Sequence, residues 1–420
     1  MEQLLSDIKI LDLTHYIAGP YCTKLLADRG ADVIKIEEPG KGDGARRLGP
    51  FFGNEPHPEK SGLFLHLNTN KRGITLNLKS VTGKKIFKKL LRGVDILVEN
   101  FSPRVMPGLG LGYDTLEEVN PKLVMTSISN FGQTGPYRDF KASEIIISGM
   151  GHTMNTQGDS EREPVKMAGN LMQYQSGVIA AALTMIGLFS SRLQGIGQHI
   201  DVSIMETHLG SIDRRAMNLV GHAYNPTEVS GRATYGIGYG FPSGNWPCKN
   251  GYFSIVGGAR MGFWPRVVAM LEMPELLEDS RFCTPEAQAR VENSEAFTQI
   301  FLPWCMEHTV EEITTLGQQK RVLVAPVNNA QQLVNDCHMK ARDSFVDIDH
   351  PITRRADTHR QARGYLLTGE IKYPGIPFRT SKPSPMICLA PMLGQHNVDI
   401  YGQLGYDRGN IIKLRETGVI

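Results

Sequence analysis

Ile8 to Leu13 (IKILDL) alternates and then runs apolar, the pattern of a buried strand. A turn at Thr14–Pro20 follows. Pro20 suits the first position of a helix, where its missing N–H costs nothing. A helix is predicted over Tyr21–Asp28, closed by Arg29-Gly30, and a second strand over Ala31–Glu37. This is a β-α-β unit, with a right-handed crossover to a parallel strand. The theme continues with a strand at Ile74–Leu78, a helix at Val81–Leu91 with a lysine-rich outer face, and strands at Asp95–Glu99 and Leu123–Ser129. Short apolar strands alternating with helices predict an α/β fold with a parallel sheet covered on both faces. In such sheets ligands sit at the carboxyl edge, so the turn after the first strand and Asn100-Phe101 are candidate site positions.

Further on, Lys141–Ser148 reads as a helix, and Pro164–Leu188 holds the most distinctive pattern. From Val178 this stretch is almost wholly small and apolar, as in a buried helix packed closely on its neighbours. Its polar residues, Gln173, Tyr174, Gln175 and Ser176, bunch at the entrance, just before Gly177. Helix-start N–H groups lack intrahelical partners and can meet an anion or oxyanion there. A capped helix start with nothing bound has the same pattern. A strand at His199–Ile204 and a helix at Met205–Asn218 follow. Between Ala223 and Pro247 glycines interleave with aromatics (Tyr235, Tyr239, Phe241, Trp246), a composition that fits a mobile lid or an interface loop. The domain change is placed here. A strand at Gly251–Val256 and helices at Phe263–Met270 and Val310–Leu316 belong to a smaller unit. From Pro326 the chain returns, with the proline-rich Tyr373–Pro391 crossing the first domain and a last helix near Ile400–Leu404. The expected organisation is 1–222 for the first part of the large domain, 223–325 for linker and small domain, and 326–420 for the return.

Composition narrows the class only slightly. The 420 residues carry a net charge of +2, which gives no reason to expect nucleic acid or an anionic membrane as partner. The longest apolar run, Val178–Ser190, is short for a membrane span, and the first ten residues do not read as a secretion signal. The six cysteines are scattered without a C-x-x-C pair, which predicts reduced thiols in a cytoplasmic protein. No H-E-x-x-H is present, so no metal is expected. Gly108-Leu109-Gly110-Leu111-Gly112 fails as a dinucleotide loop, because no strand runs into it. Lys71, Arg72, Lys79 and Lys141 are candidate phosphate contacts, though each alone reads more readily as a solvated surface charge, and they gain interest because Lys79 and Asn100-Phe101 sit at strand ends. His15 after the first strand fits a hydrogen-bonded structural histidine.

Seven segments in order resemble the class III CoA-transferases, the family of formyl-CoA transferase and carnitine CoA-transferase: LDLTHYIAGPYCTKLLADRGADVIKIEEPGKGD (11–43), NTNKRGITLNLK (68–79), VENFSPRVM (98–106), GQTGPYRDFKASE (132–144), GIGQHIDVSIME (195–206), PCKNGY (247–252) and PMLGQH (391–396). The resemblance implies a Rossmann-like large domain made from both chain ends, a smaller α+β domain and an interlocked dimer. It implies CoA or acyl-CoA as substrate, with no permanently bound cofactor. The positions matching CoA contacts are His15, Tyr16, Ala18, Leu76, Lys79, Asn100, Phe101, Leu109 and Lys141. Glu38 and Gly108 stand where the family often has arginine, with Arg104 a candidate substitute for the second. In the family an Asp four residues before a glycine attacks the acyl-CoA thioester, because both covalent intermediates are acyl derivatives of a carboxylate. Four before Gly177 stands Gln173, and no Asp or Glu lies between Glu163 and Asp201. A neutral amide cannot form the anhydride. The resemblance therefore implies a non-nucleophilic subunit that pairs with a homologous Asp-bearing chain. It is similar in this to the Asp-lacking subunit type of succinyl-CoA:benzylsuccinate CoA-transferase, an enzyme of anaerobic toluene breakdown. A homodimeric transferase with an altered nucleophile, and a CoA-thioester-binding scaffold without transferase activity, are the alternatives.

Overall fold

The computed structural model describes residues 3–159, 161–209, 220–224, 240–258, 262–349, 370–381 and 386–420. Six strands form one parallel sheet: β1 (Lys9–Asp12), β2 (Asp32–Glu37), β3 (Arg72–Thr75), β4 (Ile96–Glu99), β5 (Val124–Ser129) and β6 (Gln198–Ser203), in the order β3-β2-β1-β4-β5-β6. Every neighbouring pair is parallel. This is the doubly wound arrangement, in which strand order reverses between β1 and β4 and leaves a crevice at their carboxyl ends.

Alternation along the strands builds two cores. Leu11, Leu13, Ile34, Ile36, Leu97 and Met125 face one side. Ile8, Ile10, Val33, Ile96, Val98 and Val124 face the other. Successive side chains point to opposite faces of a strand, so a buried parallel strand must be apolar at both parities. Helix α1 (Ala18–Ala27) follows β1, and α2 (Val81–Leu91) is N-capped by Ser80, whose hydroxyl accepts from Gly83 N. Helix α3 (Glu144–Met150) precedes α4 (Leu171–Gln194).

Helix α4 is longer than its apolar run and is, by length and composition, apolar enough to cross a membrane. Its Met172, Ala180, Ala181 and Leu188 nonetheless pack into the same core as Ile10 and Val124. Gly177 makes this possible: a Cβ there would lie 2.7 Å from the Ala18 carbonyl oxygen, on α1. A hydroxyl contact of 2.7 Å between Thr126 and Thr184 ties α4 to β5.

Two units are distinguished. One comprises Met1–Thr153, Lys166–Pro226 and Arg342–Ile420, and the other Met154–Val165 and Thr227–Ala341. In the larger unit the final helices, Asn397–Gln403 and Arg408–Glu416, close the free edge beside β3. Tyr401 donates its hydroxyl to Thr75 O at 2.6 Å, and Thr75 N donates to Asn397 Oδ1 at 2.9 Å. Phe345–Asp349 and Glu370–Pro374 form an antiparallel pair in this unit. The smaller unit has an antiparallel sheet of Ser243–Cys248, Gly251–Val256 and Leu323–Pro326, over a core of Phe241, Phe253, Trp264, Phe282, Phe297 and Phe301.

Most of the glycine-aromatic stretch read as a lid or interface loop, including Tyr235 and Tyr239, lies outside the described residues. Of the remainder, Phe241 is buried and Trp246 packs edge-on against Phe301, so both are core aromatics. The helix expected over Met205–Asn218 is described only as Ile204–Thr207, and Asn218 lies outside the described residues.

Candidate active site

The loop after β1 is held from several sides. Asn100, at the end of β4, grips it: His15 N donates to Asn100 Oδ1 at 2.7 Å, and Asn100 Nδ2 donates to His15 O at 2.8 Å. Tyr16 takes a positive φ of 65° and donates its N–H to Asp43 Oδ1 at 2.9 Å. Few non-glycine residues adopt that conformation, and here the surrounding bonds impose it. Beneath lies a buried layer of ion pairs. Lys35 meets Asp43 at 3.0 Å, and Lys71 meets Asp12 at 2.9 Å. Burial alone would raise the Asp12 carboxyl, but Lys35 and Lys71 outweigh it and bring it down to about 2. Asp43 is likewise pulled below the usual range, Lys35 and His15 overcoming its burial. Burial lowers the Lys71 ammonium to about 8, with Asp12 offsetting part of the loss.

Above this layer opens a cavity of about 630 Å³. Tyr16, Asn100, Phe101, Lys141, Asn170 and Gln173 are among its lining residues, drawn from the ends of β1 and β4, the segment before α3 and the start of α4. The phenyl ring of Phe101 lies 5.7 Å from the His15 imidazole, centroid to centroid. Phe101 N donates to Glu99 Oε2 at 2.8 Å. Burial pushes the Glu99 carboxyl up to about 7, with Ser127 and the Phe101 N–H holding it back in part. Ser127 Oγ in turn lies 2.9 Å from His199 Nε2.

Of the positions matched to CoA contacts, Tyr16, Asn100, Phe101 and Lys141 line one cavity together with Gln173, and His15 is bonded to that wall. Ala18 and Leu76 are buried, within α1 and just beyond β3. Leu109 packs on the core beside Leu111. Lys79 is exposed and faces Glu38 at 3.4 Å, where Lys41 also sits at 3.1 Å. Arg104 lines the cavity, but its guanidinium is held by both oxygens of Asp139, at 2.8 and 2.6 Å.

Sequence reasoning passed over several lining residues, Glu144 among them. Glu144 is N-terminal in α3 and 9% exposed. Its Oε1 accepts from Met172 N at 2.7 Å, capping α4 where Asn170 provides no side-chain cap. The only local signal was an acid closing the segment GQTGPYRDFKASE. Its partner stands 28 residues away.

The model of CoA-transferase family III matches residues 5–397. The chain belongs to that family. Among family members, the succinyl-CoA–D-citramalate CoA-transferase of Chloroflexus aurantiacus is 30% identical, the alignment covering 99% of this chain and 98% of that one. The BbsE subunit of succinyl-CoA:(R)-benzylsuccinate CoA-transferase from Thauera aromatica is 29% identical, over 100% and 99%. A CAIB/BAIF family protein from Brucella suis, solved by crystallography, superposes with a TM-score of 0.81 at 26% identity, covering 96% of this chain and 100% of that one. CoA-transferases of family III act on CoA thioesters, so an acyl-CoA and an organic acid are the substrate classes. The cavity at the reversal point of the sheet is where a doubly wound fold receives such a ligand.

Proposed function

We propose that this chain is a subunit of a CoA-transferase that moves CoA from an acyl-CoA such as succinyl-CoA to a carboxylic acid, with aryl-succinates such as benzylsuccinate one acceptor class. The observation that carries the reading is the cavity itself: a loop pinned by Asn100, an aromatic wall at Phe101, a cation at Lys141 and the start of a long helix converge on one space. His15, Tyr16, Ala18, Leu76, Lys79, Asn100, Phe101, Leu109 and Lys141 are the proposed CoA-contacting set, with Ala18 and Leu76 contributing through backbone. CoA passes through as substrate rather than as a resident cofactor.

Gln173 lines the cavity at the position four before Gly177 and offers no carboxylate. That supports a heteromer in which a homologous Asp-bearing chain supplies the nucleophile. BbsE, by its name a subunit, gives the precedent among relatives. An interlocked dimer, homomeric or mixed, is supported by the apolar residues that α4 leaves in solvent, among them Ile186, Phe189 and Leu193. Six free cysteines support a cytoplasmic setting. One observation favours a second reading, a homodimeric transferase with an altered nucleophile: the buried Glu144 carboxylate in the same cavity.

The test is a CoA-transfer assay with native mass spectrometry, on the chain alone and co-expressed with an Asp-bearing homologue, using succinyl-CoA and benzylsuccinate. Turnover only by the mixed complex is the expected result for the heteromer. Turnover by the chain alone removes the need for a partner, and no turnover by either removes the transferase reading for these substrates.

A further inference from the structure

Tyr16 is unfavourable twice over. Its φ of 65° is a conformation that a residue with a Cβ seldom adopts. Its large side chain is left 52% exposed, so the strain does not serve to bury it. Buried charge holds the backbone there. Asp43, itself fully buried, accepts with one oxygen from Tyr16 N and Ala45 N, both at 2.9 Å. Its other oxygen lies 3.0 Å from the Lys35 ammonium, which also donates to Thr14 O at 2.8 Å. A backbone outlier fixed from both sides points to function.

The ring has a prepared place. It lies across Gly44, where an added Cβ would overlap Tyr16 Cζ and stand 2.5 Å from the phenol oxygen. Gly44 opens the short helix Gly44–Arg47 and does not take a positive φ, so its backbone would accept any residue. What calls for glycine there is the tyrosine ring. The obstructing atoms are the far end of a side chain, so a Cβ would turn the ring aside and leave the fold standing. Tyr16 lines the same 630 Å³ cavity as Phe101 and Gln173.

We propose that Tyr16 contacts the CoA thioester through its ring, and that Gly44 is a positioning residue that gives the ring its place at the cavity. This rests on the CoA-transferase reading and deepens one part of its site. An aromatic face in the cavity wall suits the apolar stretch of such a ligand on either side of the thioester.

The experiment compares the full chain, Tyr16→Gly, Gly44→Ala and the double variant by thermal unfolding and by titration calorimetry with succinyl-CoA. Tyr16→Gly is expected to unfold at the same or a higher temperature, because glycine takes a positive φ without steric cost. It is expected to bind succinyl-CoA about tenfold more weakly. Gly44→Ala is expected to weaken binding to a similar degree, and the double variant to bind no more weakly than Tyr16→Gly. That non-additivity marks Gly44 as acting through the ring, which a purely structural role does not produce. Unchanged affinity in Tyr16→Gly overturns the proposal, as does a further loss in the double variant. A lowered unfolding temperature in Tyr16→Gly, or its failure to fold, assigns the residue to the fold and overturns it too. In each of these cases binding by the unaltered chain leaves the CoA-transferase reading in place. Absence of succinyl-CoA binding by the unaltered chain defeats the CoA-contacting set and this proposal together.

Discussion

Arg46 has no exposed side-chain surface, yet it carries a charge that four groups share. Its guanidinium donates to both oxygens of Glu37 at 2.7 and 2.8 Å, to Glu59 at 2.6 Å and to Pro391 O at 3.0 Å, with the Phe64 ring 3.6 Å away. Removing one member of a buried pair leaves the other uncompensated, so Arg46→Ala is expected to cost about 3–5 kcal/mol in denaturant unfolding. Glu99 gives a prediction of a different kind. Its folded carboxyl holds a proton up to about pH 7, whereas the unfolded chain releases it near the ordinary carboxylate value. Between those limits the folded state binds more protons, so this group lowers stability as pH rises toward 7. Glu99→Gln is expected to flatten that fall, gaining on the order of 3 kcal/mol at pH 8 relative to its effect at pH 4. Unfolding titrations of both proteins across that range check it, and parallel slopes would refute it.

Among the elements, α4 owes its seat on α1 to one missing atom. Gly177 faces the Ala18 carbonyl and the Tyr21 ring, and neither backbone nor ring yields easily to a Cβ 2.7 and 3.1 Å away. Gly177→Ala is expected to lower stability by about 1–3 kcal/mol and to shift the start of α4, and so Gln173, away from the loop at His15. Thermal unfolding together with CoA binding by calorimetry reads both effects. The strands were legible because burial on both faces leaves a continuous apolar run. Helix starts were less so: α1 begins at Ala18, three residues before Tyr21, because the loop bonds of His15 and Tyr16 set its entry. The helix Val291–Glu307 escaped notice because Pro303 interrupts its pattern. Asn100 and Phe101 could be read as site residues from their place at a strand end. The position of Gln173 followed from the family motif. Glu144 could not be read at all, since its meaning lies in an N–H on another helix and in the partner its second oxygen lacks.

At the scale of the whole molecule, the larger unit is closed by its most distant parts. Gly73, Thr75 and Asn77 are bonded to His396, Asn397, Tyr401 and Val419, and the first three of those contacts join residues 322 to 326 positions apart. Removing residues 397–420 would uncover Ile74 and Leu76, which share a core with Ile400, Tyr401, Ile411 and Leu414. Loss of cooperative unfolding in the shortened protein is the expected outcome, checked by calorimetry, and a sharp transition retained there would show that the edge stands without its cover. The same long separation sets a clock during synthesis. A ribosome adding roughly 5–20 residues per second leaves the edge at β3 open for tens of seconds before its cover emerges. The nascent chain spends that interval with a strand edge that invites other chains, and protection of this segment in ribosome-bound intermediates should appear only once the final helices have left the tunnel.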